Sequence, residues 1–446
     1  MRLSYAQQYL HSFIDHEACL GQASSQTFKL DRVRQLLREL GDPQKDLKIV
    51  HVAGSKGKGS ICALTAHILK SAGYKVGFYS SPHIYSYRER IRVLGSPRQD
   101  QPFSSDDIFP DCISSKALDT VISEIKPAVE KVRAKEYPMA LSFFELYTAL
   151  ALYWFRQNKV DLAVLETGLG GRLDATNAAE SLIAALSPIS LEHTHILGDT
   201  LAQIAGEKAG IIKARGQKVV IAPQDPEAMG VFESRCREFR IRPVRIDQYA
   251  SYELVAQNID RQVFDMTTGK ARYPRLETPL LGKHQRDNAA ASIGIAEQLE
   301  DLGFRVPAQA VREGCRSVFW PGRFETVSRD PIIILDGAHS PASARALAQT
   351  VREVLGSEKV ILVAGFSKDK NIEAIRRELK NIARETILTK ADHPRAADLP
   401  GAVSVGKALE LALQKAKTQG IVLVTGSLFV ISEARKLLTG TRCSST

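Results

Sequence analysis

The stretch that decides the fold is residues 48–60, KIVHVAGSKGKGS, in which a short apolar run leads directly into a glycine-rich turn. Apolar residues then recur at helical spacing over residues 61–69, and Gly73 ends that pattern. A second apolar run, VGFY, occupies residues 76–79. This order predicts a βαβ unit whose turn lies at the carboxyl end of the first strand, where doubly wound folds bind their ligands.

Short apolar runs and helical patterns continue to alternate along the chain. A helix is predicted over residues 143–155, and a strand over residues 160–165 that leads into Glu166. Proline and glycine interrupt the pattern at residues 320–322, WPG, and it restarts after Pro331. Further strands are predicted over residues 182–186, 332–335, 360–363, 386–388 and 421–424.

The length of 446 residues favours two domains. We therefore predict an α/β protein in which residues 1–319 form a P-loop-like domain with a mostly parallel sheet. Residues 320–446 are predicted to form a second, smaller Rossmann-like α/β domain. The interruption at residues 320–322 is the predicted hinge between them.

Composition narrows the class of protein. The sequence contains no run of about 18 apolar residues, the length that a membrane span requires. The first residues also lack the apolar segment of a secretory signal. The six cysteines have no CxxC spacing, which suits reduced thiols. We expect a soluble, cytoplasmic protein without a membrane partner. A net charge of +10 suits a nucleic acid or an anionic small substrate equally well, and the scattered basic residues, without an aromatic-interleaved RNA-binding motif, favour a plain solvated basic surface.

The turn at residues 54–60 has the chemistry of a phosphate site. Backbone N–H groups, the following helix N-terminus and the charge of Lys58 would all attract a triphosphate. The spacing differs from a P-loop, which would require glycine where this chain has Val52. Taken alone, such a turn is a purely structural connection about half the time. The residues assigned to ATP here are Gly54, Ser55, Lys56, Gly57, Lys58, Gly59 and Ser60.

Residues 51–60 resemble the phosphate loop of the Mur-ligase superfamily, which usually has Thr-Asn where this chain has Ser55-Lys56. The segments SSPH (80–83), RERI (88–91) and ETGLGGRLDATN (166–177) resemble the folylpolyglutamate synthase/dihydrofolate synthase branch of that superfamily. Similar blocks continue in family order over nearly the whole chain: EHT (192–194), GEKAGI (206–211), GKHQ (282–285) with Asn288, PGRF (321–324), DGAH (336–339) and TGSL (425–428).

The resemblance implies an ATP-dependent ligase that joins L-glutamate to dihydropteroate or a reduced folate through an acyl phosphate. It implies that residues 1–319 are the ATPase domain, which binds ATP and folate, and that residues 320–446 are the glutamate-binding ligase domain. It implies one magnesium ion held by Ser81 and Glu166 with phosphate oxygens, and a second using His193. A carboxylate at the end of a buried strand suits magnesium, whereas imidazole is an uncommon ligand for it. His193 therefore keeps a plain hydrogen-bonding role as its alternative. Lys208 is implied to be carbamylated.

The remaining site residues also follow from the resemblance. Asn288 is implied to contact adenine, and Arg323 and Asp336 the ribose and phosphates. His339 and Ser427 are implied to hold the incoming glutamate. The chain departs from the family pattern at Ser340, which replaces Asn beside His339, and at Asn371, which replaces Asp. The catalytic residues are expected to be Lys58, His193, Lys208, Arg323 and His339. The pteroate or folate residues are expected to be Phe28, Asp31, Ser142, Phe143, Phe144, Glu145, Leu173, Asp174 and Ala175.

Other functions remain open at this stage. A peptidoglycan-type Mur ligase is disfavoured because the phosphate loop comes too early for its extra N-terminal domain. A nucleotide-gated binding protein, including one that binds nucleic acid, would use the loop only as a switch. Within the ligase hypothesis, residues 170–177 resemble versions that accept dihydropteroate, so a bifunctional enzyme is favoured. We expect a monomer.

Overall fold

The computed structural model describes residues 5–15, 29–95, 108–134, 140–417 and 420–440, so Phe28 lies outside the described residues. Within these ranges the strands are β1 Ile49–Ala53, β2 Val76–Tyr79, β3 Ile91–Leu94, β4 Leu162–Glu166, β5 Ile183–Leu186, β6 Lys218–Ile221, β7 Val244–Arg245, β8 Ala250–Gln257, β9 Gln262–Thr268, β10 Arg272–Thr278, β11 Glu325–Arg329, β12 Ile332–Leu335, β13 Val360–Ala364, β14 Ala383–Lys390, β15 Val403–Ser404 and β16 Ile421–Thr425. The helices are α1 Tyr5–Leu10, α2 Leu30–Glu39, α3 Lys58–Ser71, α4 Ser115–Arg133, α5 Phe143–Gln157, α6 Thr194–Leu197, α7 Leu201–Ala209, α8 Pro226–Glu238, α9 Ile246–Tyr249, α10 Lys283–Glu300, α11 Ala308–Ser317, α12 Pro341–Leu355, α13 Ile372–Leu379, α14 Val405–Ala416 and α15 Leu428–Thr439.

The first sheet has the order β3-β2-β4-β1-β5-β6-β7, and every pairing in it is parallel except that of β2 with β3. The predicted βαβ unit is β1-α3-β2, but β4 lies between its two strands. Glu166, at the end of β4, pairs in register with Val52 of β1. This insertion places the Glu166 carboxylate between the loop that follows β1 and the loop that follows β2.

Helices cover both faces of this sheet. Strands β1 and β4 are buried along their whole length, as their continuous apolar sequences require. Helix α3 is buried on most of its surface because α10 and α11 pack on it. A Cβ at Gly314 of α11 would lie 2.4 Å from Ile68 Cα, so the close approach of α11 to α3 requires glycine there. The phosphate-loop helix is therefore held rigidly from both sides.

The second sheet has the order β11-β12-β16-β13-β14-β15, with only β11 antiparallel to its neighbour. Apolar side chains fill the space on both of its faces. These two mostly parallel sheets confirm the predicted α/β fold class. The segment between α11 and β11 contains Trp320, whose ring stacks on Phe109 at 5.9 Å. The domain division at residues 319 and 320 falls in this segment and stays a prediction.

Strands β8, β9 and β10 form a separate antiparallel sheet that the sequence reading did not predict. Strand β8, ASYELVAQ, is largely exposed and carries polar residues, so it lacks the continuous apolar run expected of a parallel strand. In the part of the chain that the structure describes, no helix is both long and apolar enough to cross a lipid bilayer.

Candidate active site

A cavity of about 970 Å³ lies where loops at the carboxyl ends of the two parallel sheets meet. Such crevices are the usual ligand sites of open α/β sheets. The cavity brings together most of the residues singled out in the sequence. The predicted residues that line it are Ser55, Lys56, Gly57, Lys58, Gly59, Ser60, Ser81, Ser142, Phe143, Phe144, Glu145, Glu166, Leu173, Asp174, Ala175, His193, Lys208, Asn288, Arg323, Asp336, His339 and Ser427.

The structure corrects the expectation for Asp31. Its side chain is exposed on the first turn of α2, and its neighbours Lys29 and Arg32 line the cavity instead. Successive residues of a helix point about 100° apart, so Arg32 faces inward while Asp31 faces outward. Arg32 Nε donates to Glu145 Oε1 at 3.0 Å, an ion pair that is almost completely buried.

The phosphate loop presents fewer amides than its sequence suggested. The N–H groups of Ser55 and Lys56 both donate to Pro188 O, each at 3.0 Å. Helix α3 begins at Lys58, and its first N–H groups have no intrahelical acceptor. The phosphate-binding amides are therefore expected at the start of α3. Gly57, at φ 83°, comes so close to Asn288 that an added Cβ would lie 2.5 Å from Oδ1.

The Gly54 carbonyl oxygen accepts hydrogen bonds from two lysines. Lys58 Nζ donates to it at 3.1 Å and Lys208 Nζ at 2.7 Å. Gly54 is not itself on the cavity wall, and a Cβ there would lie 1.8 Å from Ser187 Oγ. Lys208 is only 2% exposed, and burial together with the charge of Lys58 lowers its pKa to about 7. A substantial fraction of Lys208 is thus an uncharged amine near neutral pH.

Glu166 is a buried carboxylate at the cavity wall, only 5% exposed. Burial raises its pKa to about 7, although Lys58 and the Ser81 amide act in the opposite direction. The Ser81 N–H donates to Oε2 over a long 3.4 Å. A cation beside Glu166 would restore the charged form that burial disfavours.

Lys56 links the two halves of the cavity. Its Nζ lies 2.5 Å from Glu192 Oε2 and 3.5 Å from His339 Nε2. Burial disfavours the Glu192 anion, but the neighbouring ammonium groups, that of Lys56 first, hold its pKa below the usual range. Burial lowers the pKa of His339 to about 3, so its ring is neutral. Burial likewise lowers the pKa of His193 to about 4, which leaves a neutral imidazole beside Glu192.

Glu145 and Asp174, two carboxylates expected to bind pteroate, line the cavity and also hold protein groups in place. Glu145 accepts from the Ser142 N–H and hydroxyl, each at 2.8 Å, which closes a capping box at the start of α5. Asp174 Oδ2 accepts from the N–H groups of Gly168 and Leu169, each at 2.9 Å. Both carboxylates therefore organise the cavity wall, and burial raises the pKa of Asp174.

The aromatic residues of this region are placed differently. The guanidinium of Arg90 lies 5.4 Å from the Phe143 ring centre, a favourable cation–π position. A Cβ at Gly168 would lie 2.5 Å from the Phe144 ring, so this glycine admits the ring to the wall. Phe143 and Phe144 both line the cavity and offer apolar area to a flat ligand.

Asp336 ties two loops of the second sheet together. Its carboxylate accepts from the Phe324 N–H and the Ala338 N–H, each at 2.9 Å. These bonds fix the positions of the adjacent Arg323 and His339. Ser427 caps α15, since its hydroxyl accepts from the Val430 N–H at 3.2 Å.

Comparison with known proteins decides the family. Residues 140–296 match the Mur ligase middle domain, and residues 322–428 match the glutamate ligase domain of Mur ligases. The dihydrofolate synthase/folylpolyglutamate synthase of Bacillus subtilis (strain 168) is 35% identical over an alignment of 425 residues, and the match covers 92% of this chain and 94% of that protein. This chain belongs to the folylpolyglutamate synthase/dihydrofolate synthase family.

Other family members agree in sequence and in fold. The folylpolyglutamate synthase of Lacticaseibacillus casei is 32% identical over 420 residues, covering 92% of this chain and 94% of that one. A solved structure described as an FPGS–AMPPCP–folate complex superposes with a TM-score of 0.82 at 30% identity, covering 97% of this chain and 98% of that one. That protein therefore binds an ATP analogue and folate.

The two departures from the family pattern now have a structural explanation. Ser340 is the N-cap of α12, where its hydroxyl accepts from the Ser343 N–H at 3.3 Å. Asn371 is the N-cap of α13, and its Oδ1 accepts from the Ala374 N–H at 3.1 Å. Asn, Asp and Ser are all good N-cap residues. Each substitution keeps a capping side chain, so the helix starts are preserved.

The sequence reading missed a basic cluster on the second sheet's side of the cavity. Asp369 lies 2.8 Å from Lys370 and 3.4 Å from Arg395, and both basic residues line the cavity. The His393 ring stacks on Phe429 with ring centres 3.6 Å apart. The available signal was HPR at residues 393–395, a few residues after the strand predicted over residues 386–388, where polar residues of an α/β fold gather at the ligand edge.

Proposed function

We propose that this chain uses ATP to join L-glutamate to dihydropteroate and to reduced folates, yielding dihydrofolate and folylpolyglutamates. The observation that carries the proposal is the single cavity that Lys58, Glu166 and His339 share. Lys58 follows a strand of the first sheet, Glu166 ends another strand of that sheet, and His339 follows a strand of the second sheet. Each residue suits a different part of the chemistry. Membership of the family and the names of its relatives support the choice of substrates.

The reaction needs the carboxylate oxygen to become a leaving group. Transfer of the ATP γ-phosphoryl group to that oxygen gives an acyl phosphate and ADP. The glutamate amine then attacks the acyl carbon, phosphate leaves, and the amine loses a proton. The amides at the start of α3, Lys58 and Arg323 are proposed to stabilise the phosphoryl charge. His339 and Ser427 are proposed to hold the glutamate, and Asn288, beside Gly57, the adenine.

The residues present fit a magnesium ion. Among the described residues no group of three or more His, Cys, Asp or Glu side chains is arranged to hold a metal by itself. Glu166 and the Ser81 hydroxyl would therefore supply part of the coordination, with ATP oxygens and water supplying the rest, which is the usual way proteins bind magnesium. Bound there, magnesium would screen the phosphate charges. The neutral ring of His193 has a lone pair available for the proposed second ion.

Glu166→Gln is expected to raise the magnesium concentration for half-maximal rate by about 10-fold or more, because the amide keeps the shape and loses the charge. In the unaltered protein this concentration should fall as pH rises through about 7, since magnesium needs the ionised carboxylate and burial raises the Glu166 pKa to that value. The pH dependence should weaken in the variant, because the carboxylate that titrates near pH 7 is gone while Lys208 still titrates there.

Magnesium titrations of initial rate at several pH values check this prediction. Glu238→Gln, which alters an exposed carboxylate on α8, is the matched control and should titrate like the unaltered protein. A Glu166→Gln protein with an unchanged magnesium titration would remove Glu166 from the metal site.

Lys208 is proposed to carry a carbamate. Its neutral amine can attack CO₂, forming an N–C bond and releasing one proton, and the product keeps an N–H for Gly54 O. The nearby charges of Lys58 and Lys56 favour an anion at this position. The carbamate would give the cavity a further hard oxygen ligand.

Product analysis by mass spectrometry tests the proposed function. The enzyme is mixed with ATP, Mg²⁺, glutamate and either dihydropteroate or tetrahydrofolate. Glutamylated product from both substrates is expected, and product from only one would show a monofunctional enzyme. Ligation to a UDP-linked sugar peptide alone would support a peptidoglycan-type ligase, and ATP hydrolysis stimulated by RNA or DNA would support a nucleic-acid switch. We further propose that the enzyme is a cytoplasmic monomer.

A further inference from the structure

Lys56 is a feature of this chain that the family pattern does not explain. The Mur-ligase phosphate loop that this turn resembles usually has Asn at this position, whereas this chain has a second loop lysine. The side chain of Lys56 is 21% exposed and that of its partner Glu192 is 12% exposed. A largely buried ammonium is retained only where specific partners offset its desolvation. Those partners therefore indicate what Lys56 does.

The partners of Lys56 belong to different parts of the fold. Glu192 lies in the loop after β5 of the first sheet, and His339 lies in the loop after β12 of the second. Lys56 Nζ is 2.5 Å from Glu192 Oε2 and 3.5 Å from His339 Nε2. One ammonium group thus bridges the two sides of the cavity.

The His339 ring is oriented to accept from Lys56. Its Nδ1 lies 2.7 Å from Gly337 O, and a carbonyl oxygen can only accept, so Nδ1 carries the proton. In the neutral ring Nε2 then holds a lone pair, and this atom faces Lys56. An ammonium group has three protons and no lone pair, so the direction of the bond is fixed.

Lys56 is also held firmly on its own side. Its N–H and that of Ser55 donate to Pro188 O, and the Ser55 hydroxyl donates to Ser190 O at 3.1 Å. The phosphate loop and residues 188–192 therefore form one connected unit. The ammonium extends from that unit toward His339.

We propose that Lys56 is a positioning residue that sets where His339, and the glutamate held beside it, stand relative to the ATP phosphates. This inference rests on the proposed role of His339 in glutamate binding. Lys56 acts through His339 and Glu192, and the carboxylate pairing limits its own contact with phosphate. Loss of its charge should weaken glutamate binding far more than ATP binding.

Lys56→Met and Lys56→Asn test the inference by steady-state kinetics. Met removes the charge and keeps the length, and Asn restores the usual family residue. Loss of a charged hydrogen bond predicts a rise of about 10-fold in the KM for glutamate for Lys56→Met. The KM for ATP should change by less than about 3-fold. An equal or larger rise in the KM for ATP would make Lys56 a phosphate ligand and overturn the inference.

A control variant separates this role from a general effect of removing a lysine. Lys407 pairs with Glu410 at 2.9 Å on an exposed surface of α14. Lys407→Met should leave both KM values unchanged. A rise in the glutamate KM for this variant similar to that of Lys56→Met would also overturn the inference.

A double-mutant cycle with His339→Gln tests the contact itself. If Lys56 acts through His339, the two substitutions together should raise the glutamate KM little more than His339→Gln alone. Multiplicative effects would show independent roles and contradict the inference. The thermal unfolding midpoints of the unaltered protein, the two single variants and the double variant test the same contact without an activity measurement. We expect the shifts of the midpoint to be non-additive.

The outcomes distinguish this inference from the proposed function. If the unaltered protein ligates glutamate but both Lys56 variants keep its KM for glutamate, only the inference fails. If the unaltered protein forms no glutamylated product, the proposed function fails. The unfolding midpoints of the four proteins then still test the contact between Lys56 and His339, and additive shifts would overturn the inference.

Discussion

Lys58→Ala is expected to lower kcat by about 10²–10³-fold, the usual loss when one preorganised stabiliser of transition-state charge is removed. The loop contains two lysines, but Lys56 is paired with Glu192. Among the described residues, Lys58 contacts the Gly54 carbonyl and forms no ion pair. It is therefore the loop cation available to phosphate.

The fold should survive this substitution. Lys58 is partly exposed at the first position of α3, and Ala is the best helix former. Far-UV circular dichroism and the melting temperature should stay close to those of the unaltered protein. Lys70→Ala, at an exposed position in the last turn of the same helix, is the matched control and should keep full activity. A folded Lys58→Ala protein with near-normal kcat would remove Lys58 from the ATP site.

Lys208→Ala should be the second variant with a large effect, lowering kcat by about 10²-fold or more. If Lys208 carries a carbamate, the variant lacks an oxygen ligand, and acetate can enter the space beside Gly54 O to supply one. A protonated lysine would instead leave a missing cation, which small amines and not acids would replace. Activity measured with each additive at fixed ionic strength separates these states, and rescue by amine alone would overturn the carbamate.

Lys213 provides the matched control for the rescue experiment. Its Nζ also donates to backbone carbonyls, those of Asn177 and Ala179, but it lies outside the cavity. Lys213→Ala should lose stability and gain no activity from acetate. Rescue of both variants by acetate would show a general effect of the acid.

The strands near the site could be predicted because parallel strands buried on both faces have continuous apolar sequences. The predicted runs at residues 76–79 and 332–335 match β2 and β12, and residues 160–165 came within one residue of the end of β4. Glu166 could likewise be placed at a strand end. The insertion of β4 between β1 and β2 could not, because it depends on contacts between segments far apart in sequence.

The details of the site depended in the same way on tertiary contacts. Pro188 O accepts hydrogen bonds from two amides of the phosphate loop, and Gly54 O accepts them from both Lys58 and Lys208. Neither contact leaves a local pattern in the sequence. Asp31 was assigned from the family resemblance, and helix geometry turns its side chain outward. The antiparallel strands within residues 250–278 could not be predicted, because β8 is largely exposed and lacks the continuous apolar run of a buried parallel strand.

The measurement that tests the central claim most directly follows oxygen. Dihydropteroate labelled with ¹⁸O in both carboxylate oxygens is incubated with the enzyme, ATP, Mg²⁺ and glutamate, and the products are examined by mass spectrometry. Ligation through an acyl phosphate transfers one labelled oxygen to inorganic phosphate and leaves the other in the new amide. We predict one ¹⁸O in phosphate for each glutamate joined. Dihydrofolate formed together with unlabelled phosphate would contradict the account.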